Sequence, residues 1–299
     1  SYAYNVRNWL TEISSHLFTE KLYYVDGVAT PCYNGNIARQ QWKTVNETML
    51  RGYDFKYDGL NRLISATYGE GASLSDNKNR YDESIGKYTA NGAIMSLQRN
   101  GKTNSGSFGL IDNLTYTLDG NRPIKISDSA TALAYSGSFD FKDNVNQDKE
   151  YTFDANGSMS KDANKGLTIT YDNNSMPKLM DFGKGKKISY NFSALGEKLQ
   201  VKHVLSGTTS TTDYIGSYIF KNGSLDKLLF DGGYCTFSGN TPQFHYYSLD
   251  HLGNVRVVAN EGGALEQAIH YYPFGGIFGD ADYQESLQAY KYNGKELDR

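Results

Sequence analysis

Cysteine is nearly absent. Cys32 and Cys235 are the only two in 299 residues, too few for a disulfide framework, and no CxxC or Cys/His spacing suggests zinc. A bridge between them would suit an exported protein. Both contexts read as strand, however (Pro31-Cys32-Tyr33 and Tyr234-Cys235-Thr236), and two unpaired, half-buried thiols fit them better. Proline (5) and tryptophan (2) are scarce too, and no Pro/Ser-rich linker divides the chain. No apolar run approaches the roughly 20 residues of a membrane span, so membrane insertion is not expected, and no signal-peptide pattern opens the sequence. Neither sign of charge dominates, with 30 basic against 33 acidic residues scattered along the chain. The basic cluster Lys184-Gly185-Lys186-Lys187 reads as a solvated hairpin tip, and no nucleic-acid partner is expected. Long helical periodicity is also missing. The best candidate, Ser286 to Tyr290 with Ala281 before it, would make two turns at most.

Tyrosine and glycine are abundant, at 25 and 31 residues, and they fall into a recurring phrase. An aromatic residue is followed by Asp or Asn, then by two or three loose residues, then by Gly or Asn and an apolar residue. Tyr57-Asp58-Gly59-Leu60-Asn61-Arg62-Leu63 matches Tyr4-Asn5-Val6-Arg7-Asn8-Trp9-Leu10 position for position. Phe153-Asp154-Ala155-Asn156-Gly157-Ser158-Met159 is echoed by the phrase at Tyr88, and looser copies begin at Tyr116, Tyr171, Tyr190, Phe220 and Leu249. Each copy predicts a β-hairpin. The Asp or Asn side chain bonds backbone amides two residues on, and Asn8, Asn61, Gly92 or Gly157 takes the left-handed conformation that reverses the chain. Flanking residues alternate with period two, as strands do. The copy at Tyr171 carries Ser175 where Gly is expected, so either its turn differs in type or Asn174 takes the left-handed position. Tyrosine suits a sheet wet on one face, its ring packed across strands and its hydroxyl hydrated. The soft stretches Lys102–Ser107 and Ser206–Thr212 read as long hairpin tips. The expected fold is all-β: one continuous array of antiparallel hairpins over residues 1–299, forming a curved or spiral sheet.

Residues that invite chemistry have plainer readings. Asp250-His251, with His245 and His270 near in sequence, could orient a general base. Yet His251 aligns with Ala155 of a sister copy, which makes it a turn position. The three histidines match no compact metal pattern. Asp76-Asn77-Lys78-Asn79 and Asp143-Asn144-Val145-Asn146 lack the oxygen ligands and central glycine of a calcium loop and read as solvated turns. Asp58, Asp119, Asp154, Asp172 and Asp250 already have turn-opening work. No catalytic, cofactor-binding or metal-binding residue is assigned, and no enzyme activity is expected.

The C-terminal third adds an ordered set. Tyr246-Tyr247-Ser248-Leu249-Asp250-His251-Leu252-Gly253-Asn254-Val255-Arg256 is followed by His270-Tyr271-Tyr272-Pro273-Phe274-Gly275 and then by Tyr290-Lys291-Tyr292-Asn293-Gly294-Lys295-Glu296. With the copies at Tyr4 and Tyr57, the whole chain resembles the YD-repeat or RHS (rearrangement hotspot) family. Residues from about 240 to 299 resemble the start of its RHS-repeat-associated core, and the phrasing is similar to exported gut Bacteroides members. The resemblance implies hairpins wound into the wall of a hollow shell or stalk that encloses or presents a variable C-terminal toxin domain. Relatives in that family include polymorphic toxins, wall-associated proteins, the shell component of tripartite insecticidal toxins and teneurins. It also implies a fragment of a longer, secreted or cell-surface polypeptide whose partner is the rest of its own chain. Many bacterial members cleave themselves beyond the Asn-Gly-Lys-Glu phrase. This sequence ends at Leu297-Asp298-Arg299, so those carboxylates have no counterpart and self-cleavage is not expected.

The function expected is therefore structural. The rival is a surface carbohydrate-binding or adhesion module using a Tyr-rich sheet face, with a cell-surface glycan or protein as partner. A cut array should also self-associate through unpaired edges near Tyr2–Tyr4 and Tyr290–Tyr292, or through its inward face.

Overall fold

The computed structural model describes residues 1–132, 134–278 and 288–297. Among them the only helical element is the three-residue 3-10 turn Tyr292–Gly294; the rest is strand and turn. Of the expected helix from Ser286 to Tyr290, residues 288–290 are not helical, and Tyr290 bridges to Glu296; Ala281 and residues 286–287 lie outside the described residues. Ten strands, from Tyr2–Tyr4 to Arg122–Asp128, form one sheet, and thirteen, from Tyr151–Phe153 to Leu265–Ala268, form a second. In both sheets spatial order is sequence order, and the strand pairs are antiparallel hairpins. Between Asp128 and Tyr151 no strand forms among the described residues. The chain divides into two compact units. One comprises residues 1–115, 128–141 and 246–299, the other 116–127 and 142–245.

The repeated phrase folds the same way each time. In the copy at Tyr57 the Asp58 amide donates to the Arg62 carbonyl at 2.9 Å and the Asn61 amide to the Asp58 carbonyl at 3.0 Å. Asp58 Oδ1 accepts the amides of Leu60 and Arg62 at 2.9 and 3.0 Å. Asn61 sits at φ +62, and the strand register slips between Lys56 and Tyr57. This is a tight turn closed by a left-handed residue and a bulge, a standard three-residue hairpin loop. Asp154 and Asp172 repeat the bonds, Asn5 does so with an amide oxygen, and Ser193 with a hydroxyl. One side-chain oxygen thus satisfies two amides that the reversal would otherwise strand.

Three details depart from expectation. In the copy at Tyr171 Ser175 itself takes the left-handed position, at φ +61. The copy placed at Tyr190 starts two residues later, at Phe192-Ser193, where Ser193 opens the turn and Gly196 closes it at φ +82. Of the two long tips, Ser206–Thr212 shrinks to Ser206-Gly207, because Thr208–Ile215 is strand. Hydroxyl-rich β-branched residues look like loop by polarity, but they suit an exposed strand.

A larger difference concerns tyrosine. Five tyrosine hydroxyls, three of them from residues that open a copy of the phrase (Tyr57, Tyr88 and Tyr171), are not left to water; each donates to a backbone carbonyl at or just before the start of the preceding strand. Tyr24 reaches Leu10 at 2.8 Å, Tyr57 reaches Ile37 at 2.8 Å, Tyr88 reaches Leu63 at 2.6 Å, Tyr171 reaches Met159 at 2.7 Å, and Tyr271 reaches Val255 at 2.9 Å. Leu10, Leu63, Met159 and Val255 each stand five residues after the residue that opens their own turn. In these four cases a tyrosine pins its strand to the turn exit of the preceding hairpin. Burial accompanies the pin and pushes the Tyr57 phenol up to about 12. Tyr171→Phe removes the donor and leaves the Met159 carbonyl without it, so the melting temperature should fall by an amount equivalent to about 1 kcal/mol. An unchanged melt would mean that water replaces the hydroxyl freely.

Of the two expected edges, Tyr2–Tyr4 is an outer strand with Tyr2 and Tyr4 exposed. Tyr290–Tyr292 is not an edge strand. It leads into a turn closed by the Lys291 amide on the Lys295 carbonyl, and the Val255 amide donates to the Lys291 carbonyl. Cys32 and Cys235 are both free; Cys32 is half-buried and Cys235 is buried.

Candidate functional site: a buried polar row under the C-terminal segment

Within the first unit, alternate residues of the first sheet form a buried face. Cross-strand register sets Glu20 opposite Trp42, Trp42 opposite Arg51, Gln40 opposite Tyr53, and Tyr53 opposite Tyr68. Farther along, Glu83 stands opposite Arg99 and Arg99 opposite Asp112. The aromatic part of this face, with Phe18 and Tyr81, makes one core with Val257, Tyr272 and Phe278 of the C-terminal segment. Phe278 stacks on Tyr81 with ring centroids 3.9 Å apart and planes within 9°.

The charged part of the face holds the same segment by its backbone and its histidines. Glu20, 0% exposed, accepts the Gln40 amide nitrogen at 2.6 Å and His251 Nδ1 at 3.0 Å on one oxygen, and the His251 backbone amide at 2.9 Å on the other. The Asp250 turn behind it is the repeat's own. Asp250 Oδ1 takes the amides of Leu252 and Asn254, and Oδ2 takes the Asn254 side chain and Arg256 Nε at 2.9 Å. The Arg256 guanidinium lies 4.8 Å over the Trp42 ring. Trp42 Nε1 can only donate, so at 3.0 Å it makes His270 Nδ1 an acceptor. The ring proton is then on Nε2, 3.4 Å from Glu47 Oε1.

Arg99 anchors the far end. It bridges Glu83 at 2.8 Å and Asp112, under the rings of Phe139 and Tyr272. Glu83 also accepts the Phe274 amide at 3.1 Å and Asp112 the Phe141 amide at 2.8 Å. Burial holds both carboxyls above the usual carboxylate range, with Arg99 opposing the shift. Tyr272 donates to the Asn100 carbonyl at 2.6 Å.

His251 and His270 thus both lie in this unit, each fastened to a different residue of the first sheet. His245 lies in the other unit, stacked on Tyr234 at 4.4 Å and bonded to Thr236 Oγ1 at 2.8 Å. His251 keeps its turn position, and its second bond, to Glu20, carries no signature near residue 251. Glu20, Asp250 and His251 bring ligand-type atoms within 4.8 Å of one another, as do Asp112, Asp128 and Asp140. In the first group both carboxylates are engaged by N–H donors. In the second, Asp112 is held by Arg99, and Asp128 Oδ1 accepts the amides of Asn113 and Ala130. Asp143–Asn146 is tied down at Asn144 and Val145, whose amides donate to Asn164 Oδ1. Sequence reading missed the row Glu20, Glu83, Arg99 and Asp112. A signal for it exists: a charge flanked two residues away on both sides by apolar residues, as in Phe18-x-Glu20-x-Leu22 and Tyr81-x-Glu83-x-Ile85, marks a charge on a buried strand face.

No family model and no curated protein matches the sequence. Among solved structures, the chain is similar to one described as "Crystal Structure of TcdB2-TccC3-Cdc42", at 14% identity and TM-score 0.59. It is similar to TcdB2-TccC3 alone at 14% and 0.58. It is also similar to the Photorhabdus luminescens Tc holotoxin pore carrying the mutation TccC3-D651A, at 14% and 0.58. All of this chain is covered in each case. The fold is that of an RHS-type hairpin array. The chain spans only 17%, 17% and 16% of the length of those chains, so the likeness concerns one stretch of much longer polypeptides.

Proposed function

We propose that this chain is a non-enzymatic wall segment of an exported RHS toxin-like protein that encloses or presents a variable C-terminal domain. What carries the reading is the match of the whole chain to a stretch of the TcdB2-TccC3 toxin chain, together with a construction in which repeat residues fasten hairpins to one another. The tyrosine hydroxyls at positions 24, 57, 88, 171 and 271 are bound to carbonyls. Those five hydroxyls serve the fastening of the sheet itself, which supports a wall. No helix among the described residues is long and apolar enough to cross a membrane. Self-association of the isolated chain through the Tyr2–Tyr4 edge belongs to the same proposal.

The test uses the natural polypeptide that carries this segment. Treated with proteinase K, its C-terminal domain should survive far longer than the same domain produced alone. Equal rates of digestion would overturn the enclosing role.

A further inference from the structure

The first three strands carry a cleft that a wall does not need. Its volume is about 440 Å3, within the roughly 300–1,000 Å3 of small-ligand sites. The aromatic floor is rigidly placed. Asn5 Oδ1 fixes the Trp9 amide at 3.0 Å, and Arg7 lies 5.1 Å over the Trp9 ring while donating to the Tyr33 carbonyl at 2.9 Å. Tyr24 packs against Trp9 at 5.0 Å. Gly35 passes so close, at φ +94, that a Cβ there would come within 3.3 Å of the indole.

The polar lining is the opposite of the buried row described above. Glu12 and Lys21 face each other across their strands, yet among the described residues neither side chain makes an ion pair or hydrogen bond, and Asp26 makes none. The hydroxyls of Tyr23 and Tyr33 are equally unengaged, and Tyr33 is 67% exposed. Two carboxylates, an ammonium and two phenols thus surround a fixed aromatic surface.

That chemistry selects a ligand. The carboxylates of Glu12 and Asp26 are balanced by Lys21 and Arg7, so neither a phosphate nor a cation is favoured. An apolar molecule would leave five polar groups without water or partner. A sugar ring supplies hydroxyls that donate to carboxylates and accept from an ammonium, and a C–H face that packs on an aromatic ring. We propose that this cleft binds a neutral saccharide, with Tyr33 as the stacking face and Glu12, Asp26 and Lys21 as hydroxyl partners. This goes beyond the wall role and does not depend on it.

The purified chain is applied to immobilised neutral and acidic oligosaccharides, and the saccharides retained are titrated in solution against tryptophan emission, with Trp9 as reporter. A neutral saccharide should give a saturable change. Tyr33→Ala and Asp26→Asn, both at exposed positions and checked for an unchanged melt, should each weaken apparent affinity at least about tenfold. Tyr2→Ala, outside the cleft, should not. The assignment is overturned if no neutral saccharide gives a saturable response, if acidic ones are preferred, or if binding is unchanged in both cleft variants.

Discussion

Replacing Arg99 with Met should lower the unfolding free energy at neutral pH by roughly 3–5 kcal/mol, the cost of removing one partner from a buried ionic group. Met fills much the same space, so the loss is electrostatic: Glu83 and Asp112 remain buried without their cation. Both carboxyls already titrate above their ordinary values because burial outweighs Arg99. A raised carboxyl contributes stability below its unfolded value and loses it as pH rises through the folded value. Without Arg99 the folded values rise further. The variant should therefore be weakest near neutrality and should approach the parent below about pH 4, as the carboxyls become protonated in the unfolded state as well as the folded one. Denaturant titrations at several pH values read this directly. A penalty that does not shrink on acidification would mean that the two carboxylates are hydrated rather than buried.

Trp42→Ala should be similarly costly, roughly 3–5 kcal/mol, as for other fully buried large aromatics. Trp42 is 0% exposed and touches Tyr53, His270 and Phe278. Its removal opens a cavity, takes the donor from His270 Nδ1 and leaves Arg256 without its ring. Trp42→Phe keeps most of the packing and loses the N–H, so its cost should be nearer about 1–2 kcal/mol. The gap between the two variants separates packing from the hydrogen bond. An Ala variant within about 1 kcal/mol of the parent would mean that the C-terminal segment is not seated on this face.

Local chemistry was legible in the sequence because it is local. Asn8, Asn61, Gly92 and Gly157 all hold positive φ, since the phrase itself contains the atoms that close each turn. The all-β class followed from the same copies. Ser175 and Phe192-Ser193 were misjudged because a hydroxyl can replace a carboxylate at the turn and a serine can take the left-handed position when the bonds around it are complete. The polar row was not legible as a site. Glu20 and His251 are 231 residues apart, and nothing near either marks the other. The tyrosine pins were invisible for a related reason: alternation shows which way a ring points, while the acceptor lies on the neighbouring strand, 12 to 25 residues earlier.

The pins have a consequence for how such a coding sequence can change. A tyrosine finds its carbonyl only if its predecessor turns at the same side of the sheet, so the gain or loss of a single strand would put successive turns at opposite ends. Copies should come and go in pairs of strands. In four of the five pins the acceptor stands five residues after a turn opener, so unequal crossover between phrases of that kind returns an acceptor at the same place. Length can then drift by whole hairpins while the joint between neighbours is preserved.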